Sequence, residues 1–215
     1  MANFAEFALS RALRKPVSSG ALELDLCFHS RRDDLTVTEI MQRSGVSVVA
    51  VAGAAINDCA LYGVDAAIDY RGKTAIQIAG EVLKAAKDRR ITLVFDCISN
   101  TSSFETILEI LRPTGGRITP VLAYEPEALA HLPHNVTVER TMAGQAHAGE
   151  AELCKELFDQ LEMWLAEGKF RGQRWTVIAG GLGGVAEGLA RLMSWRVSGE
   201  KFVYRVADTV GLPSE

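Results

Sequence analysis

The sequence predicts an α/β fold, a doubly wound parallel sheet with helices on both faces. Three observations carry this. From residue 21 onward, strand-like and helix-like segments alternate with short links, the pattern of parallel strands joined by helical crossovers. One strand-like segment, VSVVAVAG (46–53), is rich in β-branched residues and uncharged, as a strand covered on both faces must be. Gly45, Gly63 and Pro113 stand where helical patterns stop, the positions where such residues end helices.

The elements follow in order. MANFAEFALSRALRK opens the chain, with Phe4, Phe7, Ala8 and Leu13 on one face of a short helix that stops before Pro16. Its Arg11, Arg14 and Lys15 against a single Glu6 also leave a transit peptide open. ALELDLCF (21–28) reads as a strand and LTVTEIMQRS (35–44) as a helix. After the strand at 46–53 come a short helix, NDCALYG (57–63), and the strand VDAAIDY (64–70). KTAIQIAGEVLKAAKD (73–88) places Ile76, Ile78, Val82 and Ala85 at helical spacing. ITLVFDCIS (91–99) is a strand and SFETILEILRP (103–113) a helix. RITPVLAY (117–124) is a strand in which Pro120 suggests an irregular or edge position, and NVTVERTM (135–142) is another strand. GEAELCKELFDQLEMWLAEGKF (149–170) is a long helix with Leu153, Leu157, Leu161 and Leu165 every four residues. The rhythm then changes: WTVIA (175–179), a glycine-rich turn, the helix GVAEGLARLMSW (184–195) and the strand KFVYRV (201–206) form a tail of their own.

Composition narrows the function classes. The chain has 215 residues, 48% hydrophobic and 23% charged, with a formal net charge of -4. That is ordinary for a water-soluble domain, and it argues against a nucleic-acid partner, which needs a clustered positive field. No apolar run reaches the roughly 18 residues of a membrane span. Cys27, Cys59, Cys97 and Cys154 form no CxxC pair, so no structural metal is expected and reduced thiols in a cytoplasmic setting are. His131 and His134 flank Pro133, which keeps them off one helical face.

These residues resemble a known family. VVAVAGAAINDCALYGVDAAIDYRG is similar to the second and third strands of the cofactor domain of medium-chain dehydrogenase/reductases, and LVFDCIS to the fourth. AEGKF, GGLGGVAEGLARLM and VSGEKFVYRVADT are similar to the family's closing segment. The subgroup with the greatest likeness is the zinc-free, quinone oxidoreductase-like enoyl reductases that act in trans with fungal polyketide synthases, through DCIS, VSGEKFVYRV and the DY after the third strand. The resemblance spans roughly residues 36 to 209. It implies a leading helix at 1–20, a Rossmann-like cofactor domain at 21–170, and at 171–215 the closing segment, a remnant of a catalytic domain. It implies NADP as cofactor and NADPH-dependent reduction of a small-molecule or carrier-bound acyl substrate in polyketide biosynthesis, a part of secondary metabolism. No catalytic residue can be named.

Two departures qualify the implication. The family places a substrate-binding domain ahead of the cofactor domain, whereas this chain starts within the helix leading to the first strand. The expectation is therefore an N-terminally truncated chain, with a non-catalytic remnant or interaction module as the alternative. The family also has a glycine-rich loop after the first strand. Here CFHSRRDDLTV (27–37) has no glycine, and glycines let a backbone approach the pyrophosphate.

By resemblance, the cofactor-binding residues are Gly53, Asn57, Tyr70, Cys97, Ile98, Ser99 and Leu122. Gly53 and Asn57 follow the second strand, where an acid would bind the ribose 2′-OH of NAD; none is present, which favours NADP. The residues Cys97, Ile98 and Ser99 end the fourth strand and would line the nicotinamide side. As a bare turn, 51–57 has no such role, and Cys97 also reads as a small buried apolar residue. GGLGGVAEG (180–188) follows a strand and opens a helix, but the third glycine of GxGxxG is Ala186 and no acidic strand end follows.

Overall fold

The computed structural model describes residues 23–28, 38–39, 47–87, 89–140, 144, 147–149, 151–194, 197 and 200–211. The expected leading helix at 1–20, the loop at 29–34 and most of the expected helix at 35–44 lie outside them.

Strands β1 (Glu23–Phe28), β2 (Ser47–Ala52), β3 (Ala66–Asp69), β4 (Arg90–Asp96), β5 (Gly116–Pro120) and β6 (Val136–Val138) form one sheet in the order β3-β2-β1-β4-β5-β6. Every pairing is parallel, as the alternation predicts. Helices α1 (Ile56–Cys59), α2 (Ala75–Ala86), α3 (Thr101–Leu111), α4 (Pro126–Leu129) and α5 (Ala151–Ala166) follow the strands.

Residues of β2 alternate between two cores, because successive side chains of a strand point to opposite faces. Val49 and Val51 pack with Ile78, Val82, Ile107 and Leu111 of α2 and α3. On the other face, Val48 joins Phe95 and Leu161 of α5, while Ala50 and Ala52 contact Cys59 of α1 and Tyr62. Residues Val48 to Ala52 are fully buried, so a charge at any of them would be stranded. Both crossover helices next to this core start on capping boxes. The Thr74 hydroxyl accepts from Gln77 N while Gln77 Oε1 accepts from Thr74 N. The Asn100 side chain accepts from Ser103 N while Ser103 Oγ accepts from Asn100 N. Each pair satisfies two of the N–H groups that a helix start leaves open. The second box starts α3 two residues before the expected boundary.

Pro120 does not mark an edge. Strand β5 is internal, between β4 and β6. Val121 N–H donates to Asp96 O, Gly116 N–H to Asn135 O, and Glu139 N–H to Ile118 O. By alternation, the nitrogen of Pro120 faces the β6 side, where β6 has already ended at Val138. The missing N–H therefore costs no ladder bond.

Of the leucines of the long helix, Leu157 and Leu161 lie on its buried side and Leu165 does not. Leu165 is 56% exposed, whereas Cys154 and Leu161 are buried and Leu157 and Trp164 pack on the second core. A spacing of four residues drifts about 40° per step at 3.6 residues per turn, so the apolar stripe follows 154, 157, 161 and 164 instead.

A separate pair of strands, β7 (Arg174–Val177) and β8 (Glu200–Val203), is parallel. It is joined by α6 (Val185–Met193). The link into β7 is pinned to the main body: Arg171 N–H donates to the buried Glu39 carboxylate at 3.0 and 3.2 Å, and Arg174 pairs with Asp58 at 2.6 Å. Among the described residues, no helix is long and apolar enough to cross a membrane.

Candidate functional site

The parallel registers put the strand ends on one rim. Phe28 lies beside both Val51 and Asp96, Ala52 beside Asp69, and Asp96 beside Pro120. Gly53, Tyr70, Cys97, Ile98, Ser99 and Leu122 therefore all stand just past the carboxyl ends of β2, β3, β4 and β5. The chain turns from β1 outward in both directions here, and in open α/β sheets that reversal is where ligands bind. The resemblance thus names residues that the fold gathers on one rim.

Their individual settings differ. Leu122 is exposed and so is Asn57 on α1. The Cys97 side chain is buried in the core against α5, the small apolar role open to it from the sequence. Gly53 is buried beneath Tyr70, and a Cβ there would lie 2.6 Å from the Tyr70 hydroxyl oxygen. A side chain at 53 would push the Tyr70 ring from this position. Beside this corner, Arg71 grips Asp69 through Nε at 3.0 and 3.1 Å and Nη2 at 2.6 Å. These bonds hold the Asp69 carboxyl at about 2, below the usual carboxylate range.

Ser99 and Asp96 organise the other side of the rim. Ser99 has φ of 52°, a left-handed conformation rare for a residue with a side chain. The turn is held by Asp96 Oδ1, which accepts from Ile98 N and Ser99 N at 2.9 and 3.0 Å. Ser99 Oγ donates to Asp96 O at 2.8 Å and accepts from Val121 N and Leu122 N, each at 3.1 Å. The second Asp96 oxygen accepts from Ser103 Oγ at 2.7 Å and Tyr124 Oη at 2.6 Å. Asp96 is 0% exposed, so its four donors replace the water a carboxylate needs. One side chain ties the end of β4, the start of α3 and the segment after β5.

Burial, and then the Asp96 charge, push the Tyr124 phenol well above the ordinary tyrosine range near 10. A group raised on folding contributes stability that is fully present below its unfolded pKa and lost as pH rises toward the folded one. The folded chain should therefore lose stability above pH of about 10, by up to about 1.4 kcal/mol per pH unit. Tyr124→Phe should remove most of that alkaline limb in urea titrations repeated across pH. Burial also raises Tyr62, which leaves a residual slope. An unchanged limb in Tyr124→Phe would show that this phenol is solvated.

The glycine run at 180–184 has a packing account. A Cβ at Gly181, whose φ is 56°, would collide with Thr209, and one at Gly188 with the Tyr204 hydroxyl. Leu182 N–H donates to Thr209 Oγ1 at 2.9 Å. These glycines fold the tail onto itself. Among the described residues, no group of three His, Cys, Asp or Glu side chains could hold a metal ion. His131 and His134 are exposed, and the thiols of Cys59, Cys97 and Cys154 are buried.

A sequence profile of zinc-binding dehydrogenases matches residues 35–162, more than half of the chain. A trans-enoyl reductase of Fusarium mangiferae is 25% identical over 182 residues, covering 77% of this chain and 47% of its own length. The chain thus spans about half the length of the curated relatives it matches. A probable oxidoreductase of Mycobacterium abscessus has a TM-score of 0.67 at 20% identity, over 94% of this chain and 60% of that chain. The Escherichia coli quinone oxidoreductase, solved in complex with NADPH, has a TM-score of 0.59 at 17% identity, over 79% of this chain and 53% of that chain. At these identities the structural likeness shows the fold.

Proposed function

Because the chain belongs to the zinc-binding dehydrogenase family, by a profile match over residues 35–162, we propose that it is the nucleotide-binding part of an NADPH-linked enoyl reductase acting on a carrier-bound polyketide intermediate. The observation that carries the cofactor choice is the end of β2. Ala52 and Gly53 are buried and uncharged, so no carboxylate there repels a 2′-phosphate or claims a 2′-hydroxyl. The nearby carboxylate, Asp69, is already engaged by Arg71. The residues present therefore fit NADP at this corner, and a structure solved with NADPH shares the fold.

In this reading, residues 21–170 form the cofactor domain and 171–215 the closing segment of a catalytic domain. When bound, NADPH supplies a hydride to the enoyl β-carbon while the α-carbon takes a proton. Gly53 and Tyr70 hold the adenosine side. Ile98, Ser99 and Leu122 shape the nicotinamide side through the backbone clasp at Asp96. Among the described residues the donor set does not fit the zinc ion for which the family is named, so no step is assigned to a metal. The trans-enoyl reductase relative supports the reaction class, and the polyketide synthase as partner rests on the family resemblance of the sequence.

Titration calorimetry with NADPH and NADH tests the reading. NADPH should bind more tightly, and Arg71→Ala should weaken NADPH about tenfold, the worth of one charge-assisted contact, while leaving NADH unchanged. Equal affinity for both cofactors in the wild type, or equal losses in the variant, would refute the NADP assignment.

A further inference from the structure

We propose that the cleft between Tyr62 and β7 binds a small planar heterocyclic acid, a ligand with a lactam edge and one anionic group. The cleft has a volume of about 520 Å³, within the range of small-molecule sites. Gly53, Tyr70, Ser99 and Leu122 do not line it, so it is separate from the rim and its occupancy is independent of the NADPH reading. Gln173 lines it, and both Nε2 and Oε1 of that side chain are buried without a hydrogen-bond partner. Unpaired polar atoms out of water are rare in folded proteins, and costly. A carboxamide offers a donor beside an acceptor, and a lactam edge returns an acceptor and a donor in the matching order. The flexible glutamine side chain lets the amide turn toward a ligand in the cleft it lines.

The other walls set the ligand's charge and shape. Of the two arginines lining the cleft, Arg174 is paired with Asp58 at 2.6 Å. The Arg171 guanidinium makes no ion pair among the described residues; its backbone N–H alone is engaged, by the Glu39 carboxylate. A guanidinium holds a carboxylate through two parallel hydrogen bonds, so the ligand's anionic group goes to Arg171. Glu200 accepts from Thr176 Oγ1 at 2.6 Å, and its charge disfavours a second anion. Leu61 and Trp175 are 55% and 62% exposed and offer apolar surface to the faces of a flat ring. These walls are held before a ligand arrives. Tyr62 Oη donates to Gly172 O at 3.0 Å, and the bond from Arg171 N–H to Glu39 fixes the residue next to it. A preformed site loses less binding energy to its own ordering.

The test is calorimetric titration of the full chain, without nicotinamide cofactor, with three probes. Orotate has a lactam edge and a carboxylate on one ring, uracil the edge without the acid, and benzoate the acid without the edge. Orotate should bind, and uracil and benzoate should each bind at least about tenfold more weakly. Gln173→Leu should weaken orotate by at least about tenfold. Without ligand it should raise the urea midpoint, since an apolar side chain of similar size leaves nothing unpaired. Arg171→Ala should weaken orotate by a similar factor; it alters an exposed residue, so it guards against a folding defect in the glutamine variant. The idea is overturned by no orotate binding at about 1 mM, by uracil or benzoate binding as tightly as orotate, or by binding indifferent to either variant. It is also overturned by a lower urea midpoint in Gln173→Leu, which would show that the carboxamide is already bonded in the empty fold.

Discussion

Asp96→Ala should destabilise the folded chain by about 3–5 kcal/mol, the cost typical of removing one partner from a buried charged network. The measurement is the urea midpoint, with an unchanged slope showing that the folded and unfolded states keep their exposed areas. The size follows from what is orphaned. Tyr124 Oη, Ser103 Oγ and the N–H groups of Ile98 and Ser99 all donate to this carboxylate, and an unsatisfied buried donor costs about 1–3 kcal/mol. Asp96→Asn retains an acceptor oxygen and should lose about half as much. Tyr124→Phe removes one donor but leaves three, so it should cost the least of the three variants. A loss below about 1 kcal/mol for Asp96→Ala would mean that water replaces the carboxylate.

The sheet was legible because β2 cannot be anything but a doubly covered strand, and because the segments around it switch between periods of two and 3.6. Boundaries were less legible. Strand β4 ends at Asp96 rather than Ser99 because the Asp96 carboxylate turns the backbone of Ile98 and Ser99 out of the ladder. A leucine every fourth residue in 149–170 does not mark a single face, because four residues overshoot a helical turn. Pro120 was misread because a sequence does not state which neighbour its nitrogen faces.

At the rim, the resemblance pointed to positions, while the residue that holds them, Asp96, was passed over. Its signal was present: a lone carboxylate closing the apolar run ITLVFD, followed by hydroxyls. The fourth donor, Tyr124, is 28 positions away in sequence, and only folding brings it there. Gln173 gave no signal, since an orphaned amide is a property of its surroundings.

NADPH should bind this chain weakly, at least about a hundredfold less tightly than a protein with a glycine loop at the same place. Strand β1 ends at Phe28 and residues 38 and 39 are helical, so the segment between them occupies the strand-to-helix position of a pyrophosphate site. That segment reads HSRRDD at 29–34 and lies outside the described residues. Backbone N–H groups and the helix dipole normally hold the anion there. The segment has no glycine, the residue that lets a backbone approach closely, and Asp33 and Asp34 give it two negative charges. Each unit-charge contact near a surface is worth on the order of 1 kcal/mol or more, and a few of them amount to about a hundredfold in affinity. Arg31 and Arg32 are the only nearby compensation in the sequence, through guanidinium forks on phosphate. The double variant Arg31→Ala, Arg32→Ala should abolish what binding calorimetry detects, whereas Asp33→Asn with Asp34→Asn should tighten it by about tenfold. Micromolar binding in the wild type that survives loss of both arginines would place the cofactor away from the β1 end altogether.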